Sequence, residues 1–526
     1  MLNSFTQRIA LAIAIATSVV AARAQGYTNP VLPGFFPDPS VCCVGDDYYM
    51  VNSTFQYYPG VPIHHSKDLI HWEAIGHCLT TETQANLKDV SFWGGIYAPT
   101  IRYDNGTFYM ITTNCSSRGN FIVYTDDPRG TWSEPVWLEQ GGIDPSLYFE
   151  DGHCYMVSNP NIGIDLCEIN PKTGEQLTPS RTIWRGTGGR HPEAPHIYKK
   201  DNYYYLLIAE GGTEYGHKVT IARSEKIEGP YEANPSNPIL THINRNAQDN
   251  AIQGTGHADI FQAHDGSWWL VCLGFRPQSY SHHLLGRETF LAPVRWDEGA
   301  WPVVNGNGTI AIDMQCTTLP QTESTTPAVR TTFDKELGYD WNYLSYPRAE
   351  CYSTTARKGY LRITSAPVGL DSNDSPAFVG RRQQHINFVA TTELDFTQLK
   401  DGGQAGLTVY MGHEHHHTLA VVVKGDERIL SLDYRLGALH HNEASKTLTA
   451  KKVQLRVEGT ANYYIFSFSV DGGKSFSELG HIDTRFLSSE TVGGFTGIYL
   501  GLYAEGAADK ASAADFKWFD YQPVEQ

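Results

Sequence analysis

Asp38, Asp144, Glu193 and His257 are the residues of this chain whose types and spacing could carry acid–base chemistry. They sit in the strings PDPSV, IDPSL, EAPHI and HADIF, and a fifth string of the same kind, YAPTI, carries Tyr97 and Ala98. Each string leads into a small turn, an aromatic pair (Cys154 and Tyr155 in the third copy) and an apolar run: GDDYYMV, NGTFYMI, DGHCYMV, DNYYYLL and DGSWWLV. Aligned on Tyr49, Tyr109, Tyr155, Tyr205 and Trp269, the copies recur at intervals of 60, 46, 50 and 64 residues. Eleven residues before that aromatic stand Asp38, Ala98, Asp144, Ala194 and Ala258; one residue earlier stand Pro37, Tyr97, Ile143, Glu193 and His257. If the repeats surround an axis, these positions meet near it, and three carboxylates and a histidine share one pocket. Non-adjacent units hold two carboxyls apart, as inverting glycoside hydrolysis requires: one activates a water while the other protonates the leaving oxygen, about 6.5–9.5 Å away. A third acid nearby raises the pKa of the proton donor, because like charges resist joint ionisation.

The elements that must position these groups are strands. A repeat of this length, with several short strands per unit and Gly or Pro turns between them, marks a radial all-β array. It occupies residues 25–320. Thr317–Thr332 (TTLPQTESTTPAVRTT) reads as a polar linker. Beyond it, residues 328–526 alternate in runs such as LRITSA, GLTVYM, TLAVVV and YYIFSFSVDGG, with DGG as a hairpin turn and no fivefold repeat. That half suits a two-sheet β-sandwich.

A chain of 526 residues is too long for one ordinary core. Its net charge of −17 repels phosphate backbones and anionic lipid, which argues against nucleic acid and membrane surfaces and for a neutral ligand. Arg8, the apolar run Ile9–Val20 and Ala22-Arg23-Ala24 read as a signal peptide over residues 1–24, too short an apolar run to span a membrane. The expectation is a secreted protein, with sequons at Asn52, Asn105, Asn114, Asn307 and Asn373. Nine cysteines without a C-x-x-C argue against structural zinc and leave room for some disulfides. His413, His415, His416 and His417 look metal-binding, but their place between two apolar strands predicts a solvated hairpin tip. No metal ligand set is expected.

FPDPSV, GGIYAPTIRY, IDPSLYF, HPEAPHIYKKDNYYYLL, TGHADIF and LGRETFLAPV together resemble glycoside hydrolase family 43, the β-xylosidase and α-L-arabinofuranosidase group. The resemblance spans nearly the whole chain after residue 24 and implies a five-bladed β-propeller followed by a β-xylosidase-type, concanavalin A-like sandwich. It further implies Asp38 as general base, Glu193 as general acid and Asp144 as modulator of the acid. Arg287 resembles an arginine that contacts sugar hydroxyls. Phe55 resembles an aromatic wall, and Phe495 is a candidate for the wall that the sandwich lends. His257 resembles an axial histidine that in some members helps hold a calcium ion or waters; no cofactor is obligatory. Tyr97 stands where many relatives have Trp, and Ala194 where many xylosidases have Gly, so the pentose pocket differs in width and polarity. The substrate expected is a xylo-oligosaccharide, with arabinoxylan side chains as the alternative and a non-catalytic carbohydrate-binding propeller as a third reading.

Overall fold

The structure, a computed structural model, describes residues 25–160, 162–243, 251–278, 282–316, 329–506 and 511–524. The segment read as a signal peptide, residues 1–24, and most of the expected linker, 317–328, lie outside the described residues. Among the described residues the regular secondary structure is almost wholly strand, and the one α-helix there is a single turn, Ser489–Val492.

Five antiparallel sheets, four of them four-stranded and the fourth in chain order five-stranded, correspond to the five repeats and form a five-bladed β-propeller. Their inner strands are Ser40–Val44, Thr100–Asp104, Ile143–Glu150, Glu193–Lys200 and Gln253–Gln262. The repeated aromatic runs are the second strands, for example Asp47–Val51 and Trp268–Phe275. Their alternation fits burial between neighbouring blades: Tyr48, Met50, Tyr205, Leu207 and Trp269 are all buried. The ring is closed by a pairing the sequence did not announce, Gln25–Thr28 against Asp313–Cys316.

The second half is a sandwich of two eight-stranded sheets around one apolar core that includes Val409, Leu419, Leu432, Leu455, Phe466, Leu500 and Phe516. One of these sheets does not stop at the sandwich. Its last strand is Tyr57–Tyr58 of the propeller, paired with Asn342–Leu344. On the same face Tyr57 stacks on Tyr499 at 3.8 Å, within an apolar cluster that also holds Phe35, Phe55, Phe378 and Tyr503. Burying each such ring contributes about 1.5–3 kcal/mol, so the two halves share a core rather than touch. Arg382 of the sandwich donates to the Phe35 carbonyl at 2.7 Å and lies 4.3 Å from the Phe36 ring, bracing the segment that leads into Asp38.

Several expectations are corrected. His416 and His417 are buried within the strand His415–Lys424, not at a solvated tip; the turn is confined to His413 and Glu414, since the apolar alternation carries straight through the histidines. The eight cysteines whose side chains are described are free thiols. Two sequons are closed: Asn52 and Asn114 are buried, their amides donating to the carbonyls of Phe36 and Pro37 and of Asn86. Asn105 and Asn307 are exposed.

Candidate active site

Each acid owes its direction to a backbone kink at the head of an inner strand. Asp38, Asp144, Ala194 and His257 all adopt left-handed φ values of 55°, 52°, 51° and 47°. In the third, fourth and fifth blades the kink is a β-bulge, with the ladder register shifting between Ile143 and Ser146, Glu193 and His196, and Gly256 and Asp259. A non-glycine residue in that region costs about 1–2 kcal/mol, and a bulge turns its side chain out of the sheet pattern. Here the turn is inward. Ser40 pairs with Val51, Ser146 with Val157 and His196 with Leu207, but in the fifth blade it is Asp259 that pairs with Val271. That hairpin is one residue longer. His257, rather than Ala258, therefore takes the place of Asp38, Asp144 and Ala194, which corrects the alignment by sequence alone.

The kinks bring the three acids, His257 and Arg287 together. His257 Nδ1 lies 3.4 Å from Asp38 and 3.9 Å from Asp144. Arg287 Nη1 lies 3.2 Å from Asp38 and donates to Thr213 at 3.1 Å. Ser53 donates its hydroxyl to the other Asp38 oxygen. Ser53 and Thr213 were not singled out in the sequence, where a lone hydroxyl carries no signal.

The electrostatics separate the three carboxyls. Burial would raise the pKa of Asp38, but the Arg287 charge, His257 and the Ser53 hydrogen bond outweigh it and hold the carboxyl below its ordinary value. Glu193 goes the other way: burial and then the Asp38 charge push it up to about 7, against the pull of Arg287. Asp144 is raised well above the usual range by burial, Glu193 and Asp38. Burial also lowers His257, so it presents a neutral ring near pH 7. Near neutrality the site thus holds one ionised acid, Asp38, beside acids able to carry a proton. With Asp144 protonated, the charge acting on Glu193 is that of Asp38.

Four aromatic residues surround the acids. Phe55 is 5.2 Å from Tyr97 and 6.1 Å from Phe495, and the Arg287 guanidinium lies 5.4 Å from both phenylalanine rings. Phe55 is only 3% exposed, so it backs the wall while Tyr97 and Phe495 present its open faces. Phe35 lies 5.7 Å from Phe55, behind it. Phe495 arrives from the sandwich through a close approach at Gly286. A Cβ there would sit 3.0 Å from Gly497 Cα and 3.0 Å from the Thr496 carbonyl, and the φ of +74° suits glycine.

Below the acids the axis is filled by a second polar row that the sequence carried two residues after the first: Ser40, Thr100, Ser146, His196 and Asp259. Arg102 donates to both Asp259 oxygens at 2.9 and 3.1 Å and to His196 Nδ1 at 2.9 Å. Ser40, Tyr198 and the Val41 N–H also donate to this carboxylate, at 2.7, 2.8 and 3.2 Å. Burial would raise Asp259, but Arg102 leads a set of partners that lowers it to about 2. Calcium requires six to eight oxygen ligands. The axial carboxylate is already saturated by a guanidinium, and among the described residues no group of three or more His, Cys, Asp or Glu could hold a metal. These residues do not fit an axial calcium ion, and Arg102 supplies the positive charge there.

This geometry agrees with comparisons to known proteins. Residues 27–302 match the model of glycosyl hydrolases family 43, and residues 330–522 match that of the β-xylosidase C-terminal concanavalin A-like domain. The chain belongs to glycoside hydrolase family 43. It is 39% identical, over 99% of both chains, to a non-reducing end α-L-arabinofuranosidase of Bacteroides ovatus. It is 35% identical to a β-xylosidase of Bacillus subtilis, covering 94% of this chain and 99% of that one. A solved Bacteroides ovatus family 43 protein, from a xyloglucan PUL, superposes with a TM-score of 0.91 at 40% identity, over 95% of this chain and 100% of that one. The enzyme is a glycoside hydrolase whose relatives are xylosidases and arabinofuranosidases.

Proposed function

We propose that this enzyme is a secreted, inverting exo-glycosidase that releases xylose from the non-reducing end of β-1,4-xylo-oligosaccharides. The observation that carries the mechanism is the opposite displacement of two carboxyl pKa values in one pocket, Asp38 down and Glu193 up to about 7. Asp38 takes a proton from water as the water attacks the anomeric carbon, and Glu193 delivers its proton to the departing glycosidic oxygen. Asp144, kept protonated, donates to the sugar beside them without opposing the ionisation of Asp38. Arg287 binds sugar hydroxyls while holding Asp38 charged. The aromatic wall completed by Phe495 closes one side of the pocket, which supports removal of a terminal residue over internal cleavage. Relatives named as β-xylosidases, matching 94% of this chain, support the xylose reading.

A second reading is supported by the relative that matches 99% of this chain, an α-L-arabinofuranosidase: the enzyme removes terminal arabinofuranosyl groups from arabinoxylan or a similar branched glycan. Tyr97, with its added hydroxyl in the wall, is the residue that would favour the different ring. Turnover of aryl β-xylopyranoside against aryl α-L-arabinofuranoside decides between them. NMR of the first sugar released tests the mechanism: inversion is expected, and retention would refute it. Loss of hydrolysis in Asp38→Ala is expected; unchanged hydrolysis would refute the assignment of the base. Secretion rests on Arg8, the apolar run and the A-x-A site, and predicts a mature chain beginning at Gln25 by N-terminal sequencing.

A further inference from the structure

Apart from the acids, the two halves of the molecule bury a second cluster of charge between them. On the sandwich side the strand Phe378–Arg382 ends in Arg381 and Arg382, both more than nine-tenths buried. On the propeller side His64, in the first-blade strand Gly60–Ser66, is buried to the same degree. The three residues meet at a cavity of about 10 Å³ that none of Asp38, Asp144 and Glu193 lines. Phe36, Tyr339 and Gln384 are among its other walls. A space of this size takes one small occupant, a water molecule or a single ion.

The donors around it are left over. Arg382 donates through Nε to the Phe35 carbonyl at 2.7 Å and through Nη1 to Asn342 at 2.8 Å, and the Phe36 ring covers its face at 4.3 Å. Its Nη2 is buried and has no partner, and Arg382 forms no ion pair among the described residues. Arg381 lies 4.9 Å from the Tyr521 ring and donates from Nη2 to Gln384 at 3.4 Å, while its Nε is buried without a partner. The carboxylate beside it, Asp340, stands 3.9 Å from Nη2 and is 65% exposed, so solvent screens it. His64 Nδ1 is a third buried atom without a partner. Burial and the Arg382 charge lower this histidine to about 3, so its ring is neutral near pH 7 and adds no charge of its own.

A buried guanidinium N–H without an acceptor is among the costliest defects of a protein interior, and here the positive charge behind it is also unpaired. Water would answer this poorly. It accepts two hydrogen bonds and brings no charge. An anion accepts all three and offsets the charge, and the volume limits it to a monatomic ion.

We infer that this cavity binds one chloride-sized monovalent anion, held by the free N–H groups of Arg382 and Arg381 and by His64 in its Nδ1–H tautomer. The anion ties the first blade of the propeller to the sandwich. It also fixes the guanidinium that holds the Phe35 carbonyl, on the approach to Asp38.

The test follows thermal unfolding of the full chain at constant ionic strength, with chloride replaced stepwise by gluconate, which is too large for the cavity. Above the dissociation constant, each tenfold rise in chloride should lower the unfolding equilibrium constant about tenfold, so the midpoint climbs with the logarithm of chloride concentration. Arg381→Met is expected to raise the dissociation constant about tenfold or more, the loss of one charged donor. Asp340→Asn should act in the opposite direction, lowering it about two- to fivefold by removing an exposed competing charge. Asp340 lies at the surface, so this variant decides the matter even where the buried substitution unfolds the chain. Crystals grown with bromide in place of chloride should show an anomalous peak between Arg381, Arg382 and His64. A midpoint that is the same in chloride and gluconate would overturn the inference and assign the cavity to water. A chloride dependence that neither variant alters would overturn it as well. So would a bromide peak without chloride-dependent stability, which would mark binding at crystal concentration only.

Discussion

Replacing Arg287 with Gln should move the acid limb of the pH–rate profile. In the structure the guanidinium is 3.2 Å from Asp38, with both side chains under one-tenth exposed. At an effective dielectric of about 20, such a pair is worth about 5 kcal/mol. Part of that returns when the arginine is removed, because water enters the space it leaves and solvates the carboxylate. A realistic displacement is about 1–3 pKa units, or about 1.4–4 kcal/mol. Burial, the largest influence on Asp38, already acts upward and is then opposed only by His257, Ser53 and His217. In the wild type, Asp38 titrates below its ordinary value, so kcat/KM is flat on the acid side down to the pH at which the protein itself fails. In Arg287→Gln an acid limb should emerge as the Asp38 carboxyl is released upward from its depressed position. The basic limb, set by Glu193, should also move up, by less, because Arg287 is the weakest of the influences on it.

The assay is kcat/KM against pH with an aryl glycoside, since that ratio reports the free enzyme. Loss of hydroxyl contacts will lower the whole curve, but only the charge argument changes its shape. Arg287→Lys serves as control: it keeps a cation near Asp38 and should restore a flat acid side at reduced height. A profile in Arg287→Gln that is lower yet unchanged in shape would refute the reasoning. Arg287 would then bind sugar without tuning the base.

Three further outcomes follow from the same charges. Asp144→Asn should leave the basic limb near pH 7 almost unmoved while lowering kcat, because a protonated Asp144 exerts no charge on Glu193; a limb that drops by about a unit or more would show that Asp144 is ionised. Glu193→Gln should stabilise the fold at pH 8 by up to about 3 kcal/mol and change little at pH 4, measured by denaturant unfolding. The sign follows from the raised pKa: the protonated acid is tolerated below its unfolded value, and the cost appears as pH rises through about 7 and the buried group ionises. Arg102→Met should destabilise by about 3–5 kcal/mol, because it strands the buried Asp259 carboxylate, and Arg102→Met with Asp259→Asn should recover much of the loss; equal destabilisation of both variants would mean that Arg102 acts through packing.

The acids and the five units were legible because both rest on local patterns. An aromatic residue beside a two-residue turn repeats visibly, and each acid stands eleven or twelve residues before it. What stayed hidden depends on partners distant in the chain. The extra residue in the fifth hairpin shifts His257 into the acid row only through the pairing of Asp259 with Val271. The axial row was printed in the sequence as Ser40, Thr100, Ser146, His196 and Asp259, but its meaning depends on Arg102 reaching across the axis. Asn52 and Asn114 satisfy the sequon pattern and are nevertheless buried, since a tripeptide does not encode the strand that covers it. The histidine run misled for the same reason: His417 packs at 4.9 Å against Tyr434 on the neighbouring strand, a contact set by sheet register.

The sandwich is best understood as part of the proton donor's environment. Burial is the largest influence raising Glu193, and burial at this pocket is partly the work of residues far along the chain. Phe495 closes the wall beside Tyr97 and Arg287, and Gly286 lets its loop press against the segment that carries Arg287. Arg382 braces the approach to Asp38, and the sandwich sheet adds Tyr57–Tyr58, two residues after Phe55. Removing the sandwich would therefore wet the pocket, let Glu193 relax toward an ordinary carboxyl and strip the protonated acid from the enzyme at neutral pH. The propeller supplies all three acids, but the displaced pKa that makes one of them a proton donor belongs to both halves.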